Sequence, residues 1–229
     1  MKIITNTKLV NRNNKIGKFL TVAAIVVLGG GFFISMSRPE LVIWSYVTLV
    51  LGFFLSQLGI HFINRWGASP RPDEKIVKAL KGLPGDYTLY NYILSVPHVL
   101  VGPAGVWILE TFHQRGEITF DEQKNQWKQS NVNPFLKIFS QEALGRPEKI
   151  VEVHKKEMEN ILAGLFQDNP PQVNSVILFT NERAHVDAPN APTPTFSTDK
   201  LKDFFRRKSK ENEISTEQLN HLKKSLPAA

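Results

Sequence analysis

The sequence predicts an α/β protein led by a transmembrane helical hairpin, and three observations carry that expectation. Two runs without formal charge, residues 19–37 and 41–64, are separated by little more than Arg38-Pro39-Glu40. Two apolar stretches, residues 96–101 and 106–109, flank the turn Gly102-Pro103-Ala104-Gly105. Around them the elements read helix, three strands, helices, a buried strand and a last helix, which is the order of a mixed α/β core.

The chain has 229 residues and a formal charge of +7, enough for one ordinary domain plus a smaller unit. Five of those seven charges fall in residues 1–64, where Lys2, Lys8, Arg12, Lys15, Lys18 and Arg38 face only Glu40. The remainder carries +2, so the overall basicity is not itself a nucleic-acid signature. There is no cysteine, which excludes disulfides and cysteine-ligated zinc or iron–sulfur sites.

Residues 1–18 read as a basic cytoplasmic segment. The hairpin follows over residues 19–64, with spans at about 19–37 and 41–64. About 20 apolar residues cross a bilayer core, and both runs reach that length. Twelve of residues 41–60 are Leu, Ile, Val or Phe. A signal peptide fits poorly, because no small-x-small cleavage pattern follows and a second apolar run comes at once. A buried soluble hairpin fits poorly too, because the apolar character goes right round each helix. Lys and Arg flank the outer ends of the pair while the turn has only Arg38, so both termini and the soluble part are expected in the cytoplasm. The expected location is a bacterial inner membrane. Gly52, Ser56 and Gly59 share one helix face and Gly29, Gly30 and Gly31 offer a small surface, suited to packing within the hairpin or to a homo-oligomer. His61 has no second histidine in either span and reads as an interface residue.

Residues 65–72 read as a linker rich in Gly, Ser and Pro. A helix follows from Asp73 to Leu83, with Asp73 and Glu74 in its first turn, and Pro84-Gly85 stops it. Residues 87–96 look strand-like. Val106-Trp107-Ile108-Leu109 is an uninterrupted apolar run, as in a strand covered on both faces, and it ends on Glu110. A carboxylate there is costly to bury alone, so Glu110 sits at an exposed tip, pairs with a base, or serves a site. Another strand follows Gly116. Helices are expected at residues 134–144 and 147–166. The second carries Glu148, Glu152, Lys155, Lys156, Glu157 and Glu159 as a solvated face. Residues 173–180 form a buried strand, 185–197 a proline-rich loop with room for an edge strand, and 198–207 a helix. Residues 208–229 read as a charged tether and a short amphipathic helix, with a capping box at Ser215 and Gln218.

Taken in order, Glu74, Leu83-Pro84-Gly85-Asp86-Tyr87, Pro97-His98 through Gly102-Pro103 and Gly105 to Glu110-Thr111, Gly116, Asn133-Pro134 and residues 175–180 resemble the nuclease-related domain (NERD) family. The resemblance covers about residues 70–206 and gives a domain boundary of 73–207. It implies a restriction-endonuclease-like core of the PD-(D/E)XK superfamily, a mixed sheet flanked by helices. It further implies a site in which an aspartate and a glutamate hold a divalent metal and a lysine two residues after the glutamate activates water. Glu74 matches the family's helical glutamate and Glu110 its strand glutamate. The aspartate position holds Pro97 and the lysine position holds Phe112. Proline brings no oxygen ligand and phenylalanine no proton or charge. Loss of one such group typically costs about 3–4 kcal/mol of transition-state stabilisation. Substitution from His98, His113, Glu117 or Asp121 is the other way to keep a site.

The expected function is therefore a membrane-anchored nuclease-like domain without catalysis that binds nucleic acid or protein. The alternatives are an active, membrane-tethered, Mg²⁺-dependent DNase with a rearranged site, and a membrane scaffold that binds only protein. No cofactor is expected, or Mg²⁺ if the site works, with Glu74 and Glu110 as its ligands. Lys200, Lys202, Arg206, Arg207, Lys208 and Lys210 face only Asp203 within eleven residues and form the candidate binding surface. Its ligand is anionic lipid of the bilayer or nucleic acid.

Overall fold

The structure is a computed structural model that describes residues 1–229 except 68, 140, 167, 212, 213, 228 and 229. The chain folds as two units. Parts of the expected linker, of the helix at residues 134–144 and of the C-terminal tether lie outside the described residues.

The sheet unit takes in Met1–Asn6, Pro72–Asn133 and Glu142–Ala229. Its main sheet holds β1 (Lys2–Thr5), β2 (Thr88–Asn91), β3 (His98–Gly102), β4 (Gly105–Phe112), β7 (Val173–Phe179) and β9 (Thr195–Ser197), side by side in that order. β2, β3 and β4 are antiparallel to one another, whereas β1, β7 and β9 each run parallel to their inner neighbour. The sheet is thus mixed and flanked by helices, as the sequence predicts.

Alternation divides the two faces. Tyr90, Val99, Val101, Val106 and Ile108 pack under Met158 and Leu162 of α5 (Pro147–Leu165) and Leu219 and Leu222 of α7 (Thr216–Ser225). Leu89, Leu100, Trp107, Leu109 and Leu178 pack under Ile76 of α3 (Pro72–Ala79), Leu80 just after it, and Leu201 and Phe205 of α6 (Leu201–Lys208). The β3–β4 turn is as tight as its sequence suggests, with Gly102 paired to Gly105. A Cβ on Gly102 would lie 2.1 Å from the Tyr87 ring, so only glycine lets that ring close over the turn.

A second, three-stranded sheet sets β5 (Gly116–Asp121) between β6 (Gln126–Ser130) and β8 (Ala184–Asp187). This corrects the expected three-stranded meander: β5 leaves the main sheet, and β6 adds a hairpin. The proline-rich loop likewise yields two strands, β8 and β9. Residues 1–18 are also not one tail. Lys2–Thr5 is an edge strand whose Ile4 is buried, and the Lys2 N–H donates to the Tyr87 carbonyl at 2.7 Å. The expected amphipathic C-terminal helix packs its apolar side into the core. Its capping box is formed by Ser215 and Gln218, and Leu222 is fully buried.

The helical unit takes in Thr7–Arg71 and Pro134–Gln141. It contains α1 (Thr7–Ser37), α2 (Val42–Phe62), a π-helical turn at Ile63–Gly67 and the short α4 (Pro134–Phe139). α1, and the helical stretch that contains α2, are long and apolar enough to cross a membrane. α1 begins twelve residues before the first uncharged run, because the basic segment simply continues the helix. Close approach of α1 and α2 uses small residues. A Cβ on Gly31 would meet Thr48 at 1.9 Å, and one on Gly59 would meet Thr21 at 2.8 Å. Gly29 and Gly30, by contrast, face open space. α4 is shorter than the helix expected at residues 134–144, since Gln141 takes a positive φ of 55°.

Candidate functional site

β4 sets the geometry. Its alternation turns Val106, Ile108, Glu110 and Phe112 to one face, beneath α5. The Glu110 side chain keeps 10% exposure, and its Oε2 lies 2.5 Å from His154 Nδ1. His154 stands in the inward stripe of α5 with Val151, Met158 and Leu162, spaced three and four residues apart. Of the three readings of Glu110, pairing with a base is the one observed. Which ring nitrogen carries the proton follows from the partners, with the carboxylate oxygen accepting.

Phe112 does not open onto a site. Its ring lies tilted against Phe179, 5.7 Å between ring centres, and joins Ile118, Leu144, Val151 and Ile177 in an apolar cluster. Pro97 lies just outside β3. The register pairs Val99 with Ile108, and two further steps set position 97 opposite Glu110. The Pro97 carbonyl accepts from the Tyr92 N–H at 2.7 Å. Position 97 thus stands opposite Glu110 on the neighbouring chain segment and brings no side-chain oxygen.

Glu74 sits on α3, which packs against the face of Trp107 and Leu109, while the Glu110 carboxylate turns to the other face. A divalent ion needs several hard oxygens around one point. Pro97 has none, Phe112 is walled by apolar groups, and Glu110 is engaged by His154. The residues present do not fit the metal that the resemblance implies. Among the described residues no group of three or more His, Asp or Glu is arranged to hold a metal ion.

The substitutes lie elsewhere. His98 is buried, with Nδ1 2.9 Å from Asn91 Oδ1 and its ring 4.8 Å from that of Tyr92. The His113 carbonyl accepts from Asn181. Glu117 accepts from Ser130 and Asn131 on the second sheet. Asp121 pairs with Lys128 at 2.6 Å, and that hydrogen bond holds its carboxyl below the usual range, helped by the Lys124 N–H. Glu148, read as part of a solvated face, is half-buried and accepts from the Thr193 hydroxyl at 2.6 Å.

The basic cluster on α6 is partly gathered. Lys200, Arg206, Arg207 and Lys210, with Asp199 and Asp203, line an open cavity of about 600 Å³. Lys208 is drawn to Glu211 at 2.7 Å, and Lys202 reaches towards Gly82.

Three groups escaped sequence reasoning. His154 had a signal, a histidine inside an apolar helical stripe. Lys75 had none. Its ammonium donates to the Thr180 carbonyl at 2.7 Å, next to the point where Thr180 pairs with Phe112. The third is Glu142, which is buried and takes three hydrogen bonds from Arg115, through its backbone N–H, Nε and Nη2. That carboxylate raises the Arg115 guanidinium above its ordinary value, chiefly by hydrogen bonding.

Comparison with known proteins agrees with the order of these parts. The family described as "Nuclease-related domain" matches residues 71–180. That span runs from the start of α3 to the end of β7 and includes β3, β4 and Glu110. No curated protein and no solved structure matches the chain.

Proposed function

The chain carries a nuclease-related domain at residues 71–180, and from that premise we propose a membrane-anchored domain that keeps the nuclease-like fold for binding and has lost cleavage. One observation carries this reading. The strand glutamate is spent on His154, and the position two residues on is a core phenylalanine. Metal-assisted hydrolysis needs oxygen ligands to fix the ion and a group to activate water, and among the described residues no cluster of three or more His, Asp or Glu that could hold an ion includes Glu110. The fold then serves recognition. The α6 cavity supports an anionic ligand, with four basic side chains around one opening. Nucleic acid is the occupant whose repeated phosphates best use such a cluster. Apolar α1 and α2 support an anchor in the inner membrane, with the sheet unit and both termini in the cytoplasm.

The test uses the full chain in detergent or vesicles, with Mg²⁺ and then Mn²⁺, on plasmid and linear DNA. The expected result is no cleavage, together with DNA retention that weakens steeply with salt and falls in Arg206→Ala/Arg207→Ala. Metal-dependent cleavage abolished by Glu110→Ala would overturn the loss of catalysis. Retention that ignores both salt and the double substitution would leave a scaffold that binds protein.

A further inference from the structure

α4 is six residues long, and three of them are large apolar side chains turned to solvent. Phe135 is 71% exposed, Ile138 63% and Phe139 48%. A soluble surface rarely gathers such residues on one turn without a use for them. The helix belongs to the same unit as α1 and α2. The Phe139 ring meets Phe53 of α2 edge-on, with 6.2 Å between centres, and stacks with Phe135. Two residues past the end of α4, the Gln141 side-chain amide donates to the Gln57 carbonyl at 2.8 Å.

The depth of those two anchors matters. In a helix rising about 1.5 Å per residue, Phe53 lies about 14 Å and Gln57 about 8 Å inside the C-terminal end of α2. Half of a hydrocarbon core is about 15 Å thick. A helix held against Phe53 and Gln57 therefore lies at the level of acyl chains, not of headgroups. Its chemistry agrees. Pro134 opens it and brings no N–H to leave unsatisfied, and Lys137 is long enough to reach the polar boundary. On α2, Val50, Phe54 and Leu58, each next in sequence to Phe53 or Gln57 or three residues from Phe53, are themselves exposed apolar residues.

We propose that α4 is a third membrane-embedded element, a short re-entrant helix whose Phe135, Ile138 and Phe139 sit among lipid acyl chains beside the C-terminal half of α2. This rests on the anchor reading above. The chain leaves the sheet unit after Asn133 and rejoins it at Glu142, so α4 is a further attachment of that unit to the bilayer. The Arg115–Glu142 pair fastens the returning strand of chain immediately behind it.

The chain has no cysteine, so single substitutions can report depth without background. The full chain would be placed in phosphatidylethanolamine–phosphatidylglycerol vesicles with one spin label, at Ile138→Cys, Phe135→Cys, Val50→Cys or Lys124→Cys. Lys124 is exposed on the second sheet and serves as the water reference. Collision with oxygen relative to a water-soluble nickel chelate is then measured. The expected ratio at Ile138 and Phe135 is severalfold above that at Lys124 and close to that at Val50. A lipid-like ratio at Val50 with water-like ratios at both Ile138 and Phe135 overturns the inference and leaves the anchor standing. A water-like ratio at Val50 sinks the anchor reading itself, and the inference with it.

Discussion

Glu110 and His154 hold each other under α5, and the consequence can be measured residue by residue. Removing the imidazole strands a carboxylate that keeps 10% exposure. An unsatisfied buried polar group costs about 1–3 kcal/mol. His154→Ala should lower the thermal midpoint by that equivalent, and Glu110→Gln, which still offers an acceptor, by less. Equal midpoints for His154→Ala and the unaltered protein would mean that the pair carries no stability. Part of this was readable beforehand. An acid at the end of an apolar strand demanded a partner or a task. The partner was not readable, because it lies 44 residues away in a helix whose other polar residues mostly decorate its outer side. Phe112 was legible as a departure from the family pattern. Its role as core filler became clear only once β7 supplied Phe179.

Elements show the same division between what periodicity announces and what only pairing decides. The buried strands, the stop at Pro84-Gly85 and the capping box all follow from local chemistry. β1 does not, since four residues with two isoleucines carry no visible period, and only Thr88–Asn91 gives them a place. It follows that Pro72–Ala229 alone should be a poor soluble protein. It would lack the burial of Ile4, worth about 1.5–3 kcal/mol, and would bare the edge of β2. Residues 1–6 rejoined to residue 72 through a flexible linker should raise the melting temperature and reduce aggregation in light scattering. Two indistinguishable proteins would show the strand to be dispensable. In the helical unit, Gly31→Leu should push α1 from α2, because the first added carbon already meets Thr48. Gly30→Leu, facing open space, is the matched control. Helix-to-helix crosslinking between engineered cysteines near residues 24 and 56 should fall in the first variant and not in the second.

For the molecule as a whole, the order of attachment is more informative than charge. α1 starts directly after β1, and α2 leads into α3, so both outer ends of the hairpin connect to one sheet unit. On the proposed anchor, two spans that leave and re-enter the same folded body would have both outer ends on one side of the bilayer. Which side that is rests on the Lys and Arg flanks alone, whose excess outside the turn favours the cytoplasm. A membrane-impermeant thiol reagent applied to intact cells should therefore label Arg38→Cys and spare Lys124→Cys. Labelling of Lys124→Cys from outside would reverse the orientation. The two-unit organisation was legible, because uncharged runs of that length have few other uses. The grouping of α4 with the two long helices was not, since six residues carry too little pattern to announce it. The placement of β1 also has a bearing on biosynthesis. Thr5 and Asn91, which meet side by side, are 86 residues apart, and both spans are made between them. The sheet's edge stays open until the second span has brought the chain back. With the proposed anchor, a copy in which only one span inserts would leave β1 across the bilayer from β2, with that edge of the sheet unpaired.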